Sequence, residues 1–418
     1  MSNLTINAER LWDSLMETAE IGGTGDGGIA RLTLGADDAR IRAWLMTQTT
    51  ALGMEMVVDE VGNMFATLPG RNPDLPPIAM GSHLDTQPTG GKFDGVLGVL
   101  GGLEVLRTLR DAGLVTEAPL MLVNWTNEEG SRFSPAMLGS GVWAGVYSRS
   151  EADARCDAGG ESFGAALDAI GWRGAAKAGS QRFAAMFELH IEQGPVLEAG
   201  AVEIGVVTGV QGLRWFEARL TGRAAHTGST PMPMRRNALL GAAQVIAAVD
   251  AIGLAHAPHA VATVGFLEVS PNSNNVIPGQ VDFTVDLRHP EDAVLEQMET
   301  ALRAAFELAA GSIGLEGRLT RISKVDAVHF DADCLASVRL GVERAGLSAC
   351  DIISGAGHDA VHTAAVAPTV MIFVPSAGGL SHNPAESTSP AECAAGTQVL
   401  LNAVLAHDQL LAERRRSA

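Results

Sequence analysis

Residues suited to metal chemistry are concentrated between Gly81 and Gly95, where the sequence reads GSHLDTQPTGGKFDG. This stretch holds His83, Asp85 and Asp94 among several glycines. Imidazole and carboxylate groups suit first-row divalent ions, and glycine lets the backbone approach a ligand closely. A lone loop histidine is more often only hydrogen-bonded to its neighbours, but two carboxylates in the same segment favour a metal site. In the spacing His-x-Asp, the Asp85 carboxylate can also accept a hydrogen bond from the His83 ring and fix its tautomer.

Three further segments carry the same residue types. Glu128 and Glu129 are adjacent in NEEGSRF, His190 stands in HIEQGP, and His382 stands in SHNPAE. Adjacent carboxylates are commonly no more than a charged turn, yet one of them can bind a metal while the other takes a proton from water. The four segments together offer more ligands than one tetrahedral zinc ion needs. We therefore expect two ions that share a bridging carboxylate, with Glu128 left as the general base.

These clusters follow apolar runs that predict buried strands. The apolar runs cover residues 77–80, which read as the end of a strand, and residues 120–125, 183–188 and 369–374. An apolar stretch of helix length, 96–109, follows the first cluster. Open α/β sheets place their sites at the carboxyl ends of the strands. We therefore expect an α/β sheet to bring the clusters together at one edge.

A different pattern occupies residues 212–327. Its strands and helices alternate as βαββαβ, over 213–220, 237–251, 259–269, 280–288, 291–310 and 316–325. This order is that of a ferredoxin-like module with an antiparallel sheet. Because the α/β pattern resumes at Asp331, the module reads as an insertion. We expect a catalytic domain formed by 1–211 and 328–418 and an inserted domain formed by 212–327.

Composition restricts the class of protein. A chain of 418 residues is long for one core, and two domains are the natural expectation. Its formal net charge of −19 argues against nucleic acid and anionic membranes as partners. Four scattered cysteines without a CxxC motif indicate free thiols in a reducing compartment. With no signal pattern at the N-terminus and no long uncharged apolar run, we expect a cytoplasmic protein.

In order along the chain, several motifs resemble those of the dinuclear-metal amidohydrolases of the M20 peptidase group, and most closely the N-carbamoyl-L-amino acid hydrolase branch. They are GSHLDTQPTGGKFDG, NEEGSRF, HIEQGP, HTGSTPM, NVIPG, DLRH, SGAGHDA and SHNPAE. The resemblance covers nearly the whole chain. It implies an aminopeptidase-like catalytic α/β domain and an inserted ferredoxin-like lid domain that dimerises. The sequence departs from the family pattern at Thr227, which follows His226 where alanine is expected. This difference could alter the oxyanion loop.

The resemblance also implies roles for individual residues. Asp94 would bridge two metal ions, His83 and His190 would complete one site, and Glu129 and His382 would complete the other. Glu128 would be the general base, with Asp85 supporting His83. The implied substrate contacts are Gln193, His226, Asn275 and Arg288, and His226 would act in the active site of the partner subunit.

Each implied substrate contact also has a simpler interpretation. His226 and Asn275 stand in loops, where they could do no more than hold turns. Arg288 could be a surface charge paired with Asp286, and Gln193 could cap local backbone. The roles of His358 and Asp359 in SGAGHDA stay open at this point.

The implied activity is hydrolysis of an N-carbamoyl-L-amino acid by metal-activated water, giving the L-amino acid, CO2 and ammonia. The implied cofactors are two divalent ions per subunit, Zn2+ or Mn2+, with Co2+ or Ni2+ also compatible with mixed His/carboxylate sites. Allantoate and 3-ureidopropionate are alternative substrates. A dinuclear aminopeptidase, an N-acyl deacylase and a non-catalytic binding protein are less favoured, the last because the Glu128–Glu129 pair is intact.

Overall fold

The computed structural model describes residues 4–417, and the chain divides into two compact units. The first unit ends at Gly209 and resumes at His329, and Val210–Val328 form the second. The strands, in chain order, are β1 Glu55–Val58, β2 Met64–Leu68, β3 Ile78–His83, β4 Leu120–Trp125, β5 Ala185–Ile191, β6 Ile204–Val210, β7 Gly212–Thr221, β8 Ala225–His226, β9 Val261–Thr263, β10 Leu267–Ser270, β11 Val276–Ile277, β12 Gln280–His289, β13 Glu316–Val325, β14 Val328–His329, β15 Ala349–Ser354 and β16 Thr369–Val374.

The helices complete the two units. They are α1 Ala8–Ala19, α2 Ala36–Ala51, α3 Val96–Asp111, α4 Leu138–Trp143, α5 Arg149–Asp153, α6 Phe163–Ala169, α7 Val196–Gly200, α8 Ala238–Ala255, α9 Asp292–Ile313, α10 Ala332–Ala345, α11 Asp359–Ala364 and α12 Pro390–Ser417. Two short 3-10 turns lie at Met232–Met234 and Ala377–Gly379.

The first unit is a mixed α/β fold built on one twisted sheet. Its strands run in the order β1-β2-β4-β3-β5-β16-β6, and β15 also pairs with β6. The central strands β4, β3, β5 and β16 are parallel, whereas β2 and β6 are antiparallel to their inner neighbours. The sheet therefore has a parallel centre, and the carboxyl ends of its four central strands meet at one edge.

Both faces of this sheet are buried, which explains why the central strands are almost continuously apolar. Alternate residues enter different clusters: Met80 of β3 packs with α3 and α12, whereas Ala79 packs with Trp143 and Phe183 on the other side. The period of two along a strand produces this division. The predicted strands 120–125 and 369–374 have the bounds of β4 and β16.

Two predicted strands end differently in the structure. The strand predicted over 183–188 begins at Ala185 and continues to Ile191, so His190 lies within β5 instead of after it. His83 is likewise the last residue of β3. Because Leu189 and Ile191 are buried in the core, the apolar alternation continues past Glu188 and extends the strand.

The second unit has an antiparallel sheet with strand order β10-β12-β7-β13, and β9 also pairs with β12. Helices α8 and α9 pack on one face of this sheet. Alternate residues of β12, Val281, Phe283, Val285 and Leu287, are all buried in that core. The single strand predicted over 259–269 is wrong, because residues 264–266, around Gly265, separate β9 from β10.

Helix α8 is long and apolar enough to cross a membrane by length and composition, and no other helix among residues 4–417 meets that test. One third of its apolar window, 33%, is buried, and it packs against β9, β12 and α9 within the second unit. Because core helices meet the same criterion, α8 is weak evidence for a membrane span.

Candidate metal centre

The predicted metal ligands of the first unit converge at the carboxyl edge of its sheet. His83 ends β3, Glu129 follows β4, His190 is near the end of β5, and His382 lies in the loop after β16. Asp94 stands directly before Gly95, the N-cap of α3. The parallel order of the strands explains why segments nearly 300 residues apart meet.

One group of ligand atoms surrounds one oxygen of Asp94. Asp94 Oδ1 lies 3.2 Å from His190 Nε2 and 3.6 Å from His83 Nε2. All three side chains are buried. A second group surrounds the other oxygen, because His382 Nε2 lies 3.4 Å from both Asp94 Oδ2 and Glu129 Oε2. Asp94 therefore presents one oxygen to each group.

The donor set fits divalent metal ions. Each group combines imidazole nitrogens with carboxylate oxygens, and its ligand atoms lie within 4.8 Å of one another. Ligands bound at about 2.1 Å around a tetrahedral ion are about 3.4 Å apart, which matches the separations across both groups. These residues could therefore hold metal ions without a large rearrangement.

Backbone carbonyls orient the two buried imidazoles. Nδ1 of His83 is 2.9 Å from the Asp85 carbonyl oxygen, and Nδ1 of His190 is 2.9 Å from the Ile191 carbonyl oxygen. A carbonyl only accepts, so each Nδ1 carries a proton, and in the neutral ring Nε2 holds the lone pair on the side of the centre. This is the arrangement in which a histidine binds a metal.

Asp85 supports the site differently from the prediction. Its carboxylate lies 3.9 Å from His83 Nδ1, too far for a hydrogen bond, and its carbonyl accepts the hydrogen bond instead. The carboxylate accepts the backbone N–H groups of Glu128 and Glu129, each at 3.3 Å. Asp85 thus links the end of β3 to the turn that carries both glutamates.

Glu128 is positioned beside the ligands. It is 7% exposed, and its Oε2 lies 3.5 Å from His83 Nε2. Burial raises the pKa of Glu128 well above its ordinary value; His83 opposes this shift, and the neighbouring carboxylates Asp359 and Glu129 add to it. A carboxylate that acts as a general base benefits from a raised pKa, and burial shifts the pKa of Glu128 in that direction.

The pKa values of Glu129 and Asp94 are shifted in opposite directions. Burial raises the pKa of Glu129 to about 7, and the charge of Asp94 adds to the shift. Burial would also raise the pKa of Asp94, but the imidazoles of His190, His382 and His83 outweigh it and hold that pKa well below its ordinary value. Glu129 is in addition held by Gln87, whose backbone N–H and side-chain amide donate to it at 3.1 and 2.7 Å.

Gln193 reaches the same centre. Its side-chain amide donates to Asp94 Oδ2 at 2.7 Å and lies 3.2 Å from Ser381 Oγ. Gln193, Asn127 and His382 all have φ between 54° and 60°, in the left-handed region. Such backbone strain in non-glycine residues is characteristic of functional sites.

Two contributors to the site after β16 escaped the sequence analysis, as did Gln87. Glu386 accepts the backbone N–H groups of Phe93 and Asp94 at 3.0 and 3.1 Å, and Ser381 Oγ donates to Asp94 Oδ2 at 2.8 Å. Burial raises the pKa of Glu386 to about 7. Both residues belong to the SHNPAE motif, and the buried carboxylate four residues after His382 was the available signal.

His358 and Asp359 lie behind the first ligand group. The His358 ring packs edge-on against His190, with ring centres 4.5 Å apart, and its Nε2 is 3.0 Å from Ser354 Oγ. Glu188, His190 and His358 also place ligand atoms within 4.8 Å of one another. Asp359 begins α11 and accepts a hydrogen bond from Ser140 Oγ.

Three predicted substrate contacts belong to the second unit. His226 of β8 pairs with Val276 of β11, and the adjacent Asn275 accepts the Thr227 N–H at 3.1 Å through its carbonyl. Nδ1 of His226 accepts the N–H groups of Gly228 and Ser229 at 3.0 and 3.2 Å. The proton of the neutral ring is therefore on Nε2, which is a donor.

Arg288 forms an ion pair with Asp286 along β12. Its NH2 and Nε atoms lie 2.9 and 3.0 Å from Asp286 Oδ2, and both side chains are about 30% exposed, at 29% and 31%. This contact is the one that the simpler interpretation of Arg288 predicts. The pair also fixes the plane of the guanidinium group.

Known proteins place the chain in a family. The profile of Peptidase family M20/M25/M40 matches residues 79–406. An N-carbamoyl-L-amino-acid amidohydrolase from Rhizobium meliloti is 50% identical over 403 residues, covering 96% of this chain and 97% of that protein. A protein of the same description from Geobacillus stearothermophilus is 37% identical over 409 residues, covering 96% and 98%. The crystal structure of an amidase of the hydantoinase/carbamoylase family from Burkholderia multivorans has a TM-score of 0.95 at 51% identity, covering 97% of this chain and 99% of that one. The chain belongs to Peptidase family M20/M25/M40.

Proposed function

We propose that this protein is a metal-dependent amidohydrolase that converts an N-carbamoyl-L-amino acid and water into the L-amino acid, CO2 and ammonia. The observation that carries the proposal is the division of Asp94 between two ligand groups, with Glu128 beside them. Relatives described as N-carbamoyl-L-amino-acid amidohydrolases, matched over almost their whole length, supply the substrate class.

The proposed cofactors are two divalent ions, Zn2+ or Mn2+, with Co2+ or Ni2+ as alternatives. His83, His190 and Asp94 would hold one, and Glu129, His382 and Asp94 the other. Bound there, such ions would polarise the carbamoyl oxygen and lower the pKa of water. Asp85, Gln87, Ser381 and Glu386 hold the ligands in place through the hydrogen bonds described above.

Glu128 is the proposed general base. It takes a proton from the attacking water and returns it to the departing nitrogen, so its carboxylate is regenerated after each turnover. Burial and its raised pKa suit both transfers.

The proposed substrate contacts are Gln193, His226, Asn275 and Arg288. The Nε2–H of His226 would donate to the carbamoyl oxygen as negative charge develops there. Arg288 would bind the substrate carboxylate, the one fixed charge of an N-carbamoyl amino acid. The hydrogen bonds that fix the His226 tautomer and the Arg288 plane support these assignments.

The second unit is the proposed lid and dimerisation domain, with bounds 212–327 against a catalytic domain of 1–211 and 328–418. Its sheet order supports the proposed ferredoxin-like fold: counting β9 and β10 as the second strand, it runs second, third, first, fourth. Large apolar side chains, including Trp215, Phe266 and Ile322, are exposed on this unit, and exposed apolar patches mark protein interfaces. We expect a homodimer in which His226 serves the partner's site.

The proposed location is the cytoplasm. The cysteines of the described chain, Cys156, Cys334, Cys350 and Cys393, are all free thiols. Unpaired cysteines are usual in reducing compartments.

The test is a substrate panel on metal-depleted protein reloaded separately with Zn2+, Mn2+, Co2+ and Ni2+. The panel contains N-carbamoyl-L-amino acids, their D-enantiomers, 3-ureidopropionate, allantoate and a dipeptide, with bound ions counted by elemental analysis. We expect the highest kcat/KM for an N-carbamoyl-L-amino acid and two ions per chain at full activity. Faster hydrolysis of allantoate, 3-ureidopropionate or the dipeptide would replace the proposed substrate, and full activity with one ion would overturn the two-metal form.

A further inference from the structure

Glu188 is a buried carboxylate that the proposed mechanism leaves without a role. It stands on β5 two residues before His190, and its side chain is fully buried, with 0% exposure. Burying a carboxylate without partners is costly, so the groups that it binds indicate why it is there.

Both oxygens of Glu188 are engaged by protein donors. Ser82 Oγ donates to Oε1 at 2.7 Å, and the backbone N–H of Ala360 donates to Oε2 at 3.1 Å. Ser82 directly precedes His83 on β3, and Ala360 belongs to α11, two residues after His358. Glu188 therefore connects three elements: its own strand with His190, the strand with His83, and the helix that follows His358.

The backbone pairing between β3 and β5 does not extend to the two histidines. The parallel pairing of β3 with β5 covers Ile78 to Met80, opposite Ala185 to Phe187, and stops before the ends that carry the histidines. Beyond Met80, the Ser82–Glu188 hydrogen bond joins the two strands through side chains. It lies one residue before His83 and two before His190, the two imidazoles of the first ligand group.

The nearby cluster of Glu188, His190 and His358 could in principle be a third metal site. The contacts favour a supporting network instead. Glu188 gives both oxygens to protein hydrogen bonds, and His190 directs Nε2 towards Asp94 at 3.2 Å.

We propose that Glu188 is a positioning residue, which fixes the separation of His83 and His190 by joining Ser82 and α11, and so sets the metal affinity of the first ligand group. The proposal rests on the two-metal function above. It does not require the Glu188 charge, because an amide could make the same two contacts. In a Glu188→Gln variant, the amide oxygen could accept from the Ala360 N–H and the amide nitrogen could donate to Ser82 Oγ, since a hydroxyl can also accept.

The test is stepwise Co2+ titration of the metal-depleted protein, with the visible absorption of Co2+ and isothermal calorimetry as readouts. Glu188→Leu should weaken one of the two binding steps by about 10–100-fold, the usual effect of losing a partner that orients a ligand. The other binding step should change much less than this. Glu188→Gln should bind both ions almost as the unaltered protein does.

A further single variant keeps the test decisive if Glu188→Leu folds poorly. Ser82→Ala breaks the same hydrogen bond from the other strand and should weaken the same step. The double variant Ser82→Ala/Glu188→Leu should be no weaker than Glu188→Leu alone. Asp408→Asn is the matched control: Asp408 is also buried and also accepts two backbone N–H groups, of Glu117 and Ala118, but before the start of β4 and away from the metal centre. Its Co2+ affinities should not change.

Three results would overturn the proposal: equal weakening of both steps, unchanged affinity in Glu188→Leu and Ser82→Ala, or a loss in Glu188→Gln as large as in Glu188→Leu. The last would assign the effect to charge instead of position. Failure of the proposed function looks different, because the unaltered protein would then bind fewer than two ions in the same titration.

Discussion

Asp94 is the residue through which the two ligand groups are connected. Each of its oxygens faces a different set of imidazoles, and Ser381, Gln193 and Glu386 restrain its side chain or its backbone. With so many donors around it, the pKa of this carboxylate is held well below its ordinary value. Glu128 and Glu129, whose pKa values are raised, differ from it in this respect.

The contrast between the adjacent glutamates leads to a paired prediction. Glu128→Gln should keep both ions but lower kcat by about 10²–10⁴-fold, because a general base is lost. Glu129→Gln should also weaken metal binding, since Glu129 Oε2 faces His382. Elemental analysis and steady-state kinetics on both variants check this. Equal loss of metal from the two variants, or a fully active Glu128→Gln, would contradict the division of roles.

Arg288 provides a second prediction at this scale. A hydrogen bond to a charged group contributes about 1.5–3 kcal/mol, so Arg288→Ala should lower kcat/KM for an N-carbamoyl amino acid by roughly 10–100-fold. Arg288→Lys should recover little, because lysine cannot bind a carboxylate with a planar pair of donors. The neutral amide analogue of the same substrate should be affected much less by either change.

Asp286→Asn is the control for Arg288. It removes the ion pair that fixes the guanidinium plane but keeps the cation, so the loss should be smaller and still greater for the acid than for the amide. Losses of equal size on acid and amide would assign Arg288 to the fold or the dimer and exclude it from carboxylate binding.

Among the elements, the strands that position the site were predictable because buried parallel strands are continuously apolar. The predictions of β4 and β16 match the structure in their bounds. Elements without that signal were missed: β6 is rich in glycine and valine, and α4 to α7 are short helices of five to seven residues.

The candidate site, too, was predictable only in part. The ligand types were visible in the sequence, but Glu386 binds the backbone of Phe93, 293 residues away, and local patterns carry no information about such a contact. The choice of the Asp85 carbonyl over its carboxylate depends on backbone geometry that the spacing His-x-Asp leaves open. Long-range contacts and the choice of atom therefore had to come from the structure.

His362 of helix α11 leads to a prediction about how stability depends on pH. Burial lowers the pKa of His362, whose ring packs edge-on against Tyr147 with centres 6.1 Å apart. Below a pH of about 6.5 the unfolded chain binds a proton at this histidine more readily than the folded chain does. This contribution to stability is therefore present above that pH and is lost as the pH falls.

His362→Phe should reduce this acid sensitivity while keeping an aromatic ring beside Tyr147. Calorimetry of the metal-depleted protein between pH 7 and pH 5 should show a smaller fall in Tm for the variant than for the unaltered chain. His407, whose pKa burial also lowers, remains in both proteins and serves as the common background. Parallel Tm curves would show that His362 titrates alike in the folded and unfolded states.

At the scale of the whole molecule, the residues with proposed roles are divided between the two units. The metal ligands and Glu128 belong to the unit that ends at Gly209 and resumes at His329, whereas His226, Asn275 and Arg288 belong to Val210–Val328. In the proposed homodimer, His226 acts on the partner's substrate. A subunit-exchange experiment can separate that arrangement from one within a single chain.

The prediction concerns mixed dimers of two inactive chains, His226→Ala and Glu128→Gln. If His226 acts across the dimer, the chain that keeps Glu128 receives an intact His226 from its partner, so one of the two sites is complete. Random exchange of equal amounts should then restore roughly a quarter of the activity of the unaltered dimer. If His226 acts within its own chain, neither site is complete and no activity returns.

The control is an excess of the double variant His226→Ala/Glu128→Gln mixed with unaltered protein. Across-dimer action makes each such mixed dimer inactive, because the only intact Glu128 faces an alanine from the partner, whereas within-chain action leaves one site working. Native mass spectrometry confirms that the mixed dimers form. Absent recovery together with persistent activity in the control would place His226 in its own subunit's site, and a protein that is monomeric at working concentration would remove the proposed dimer altogether.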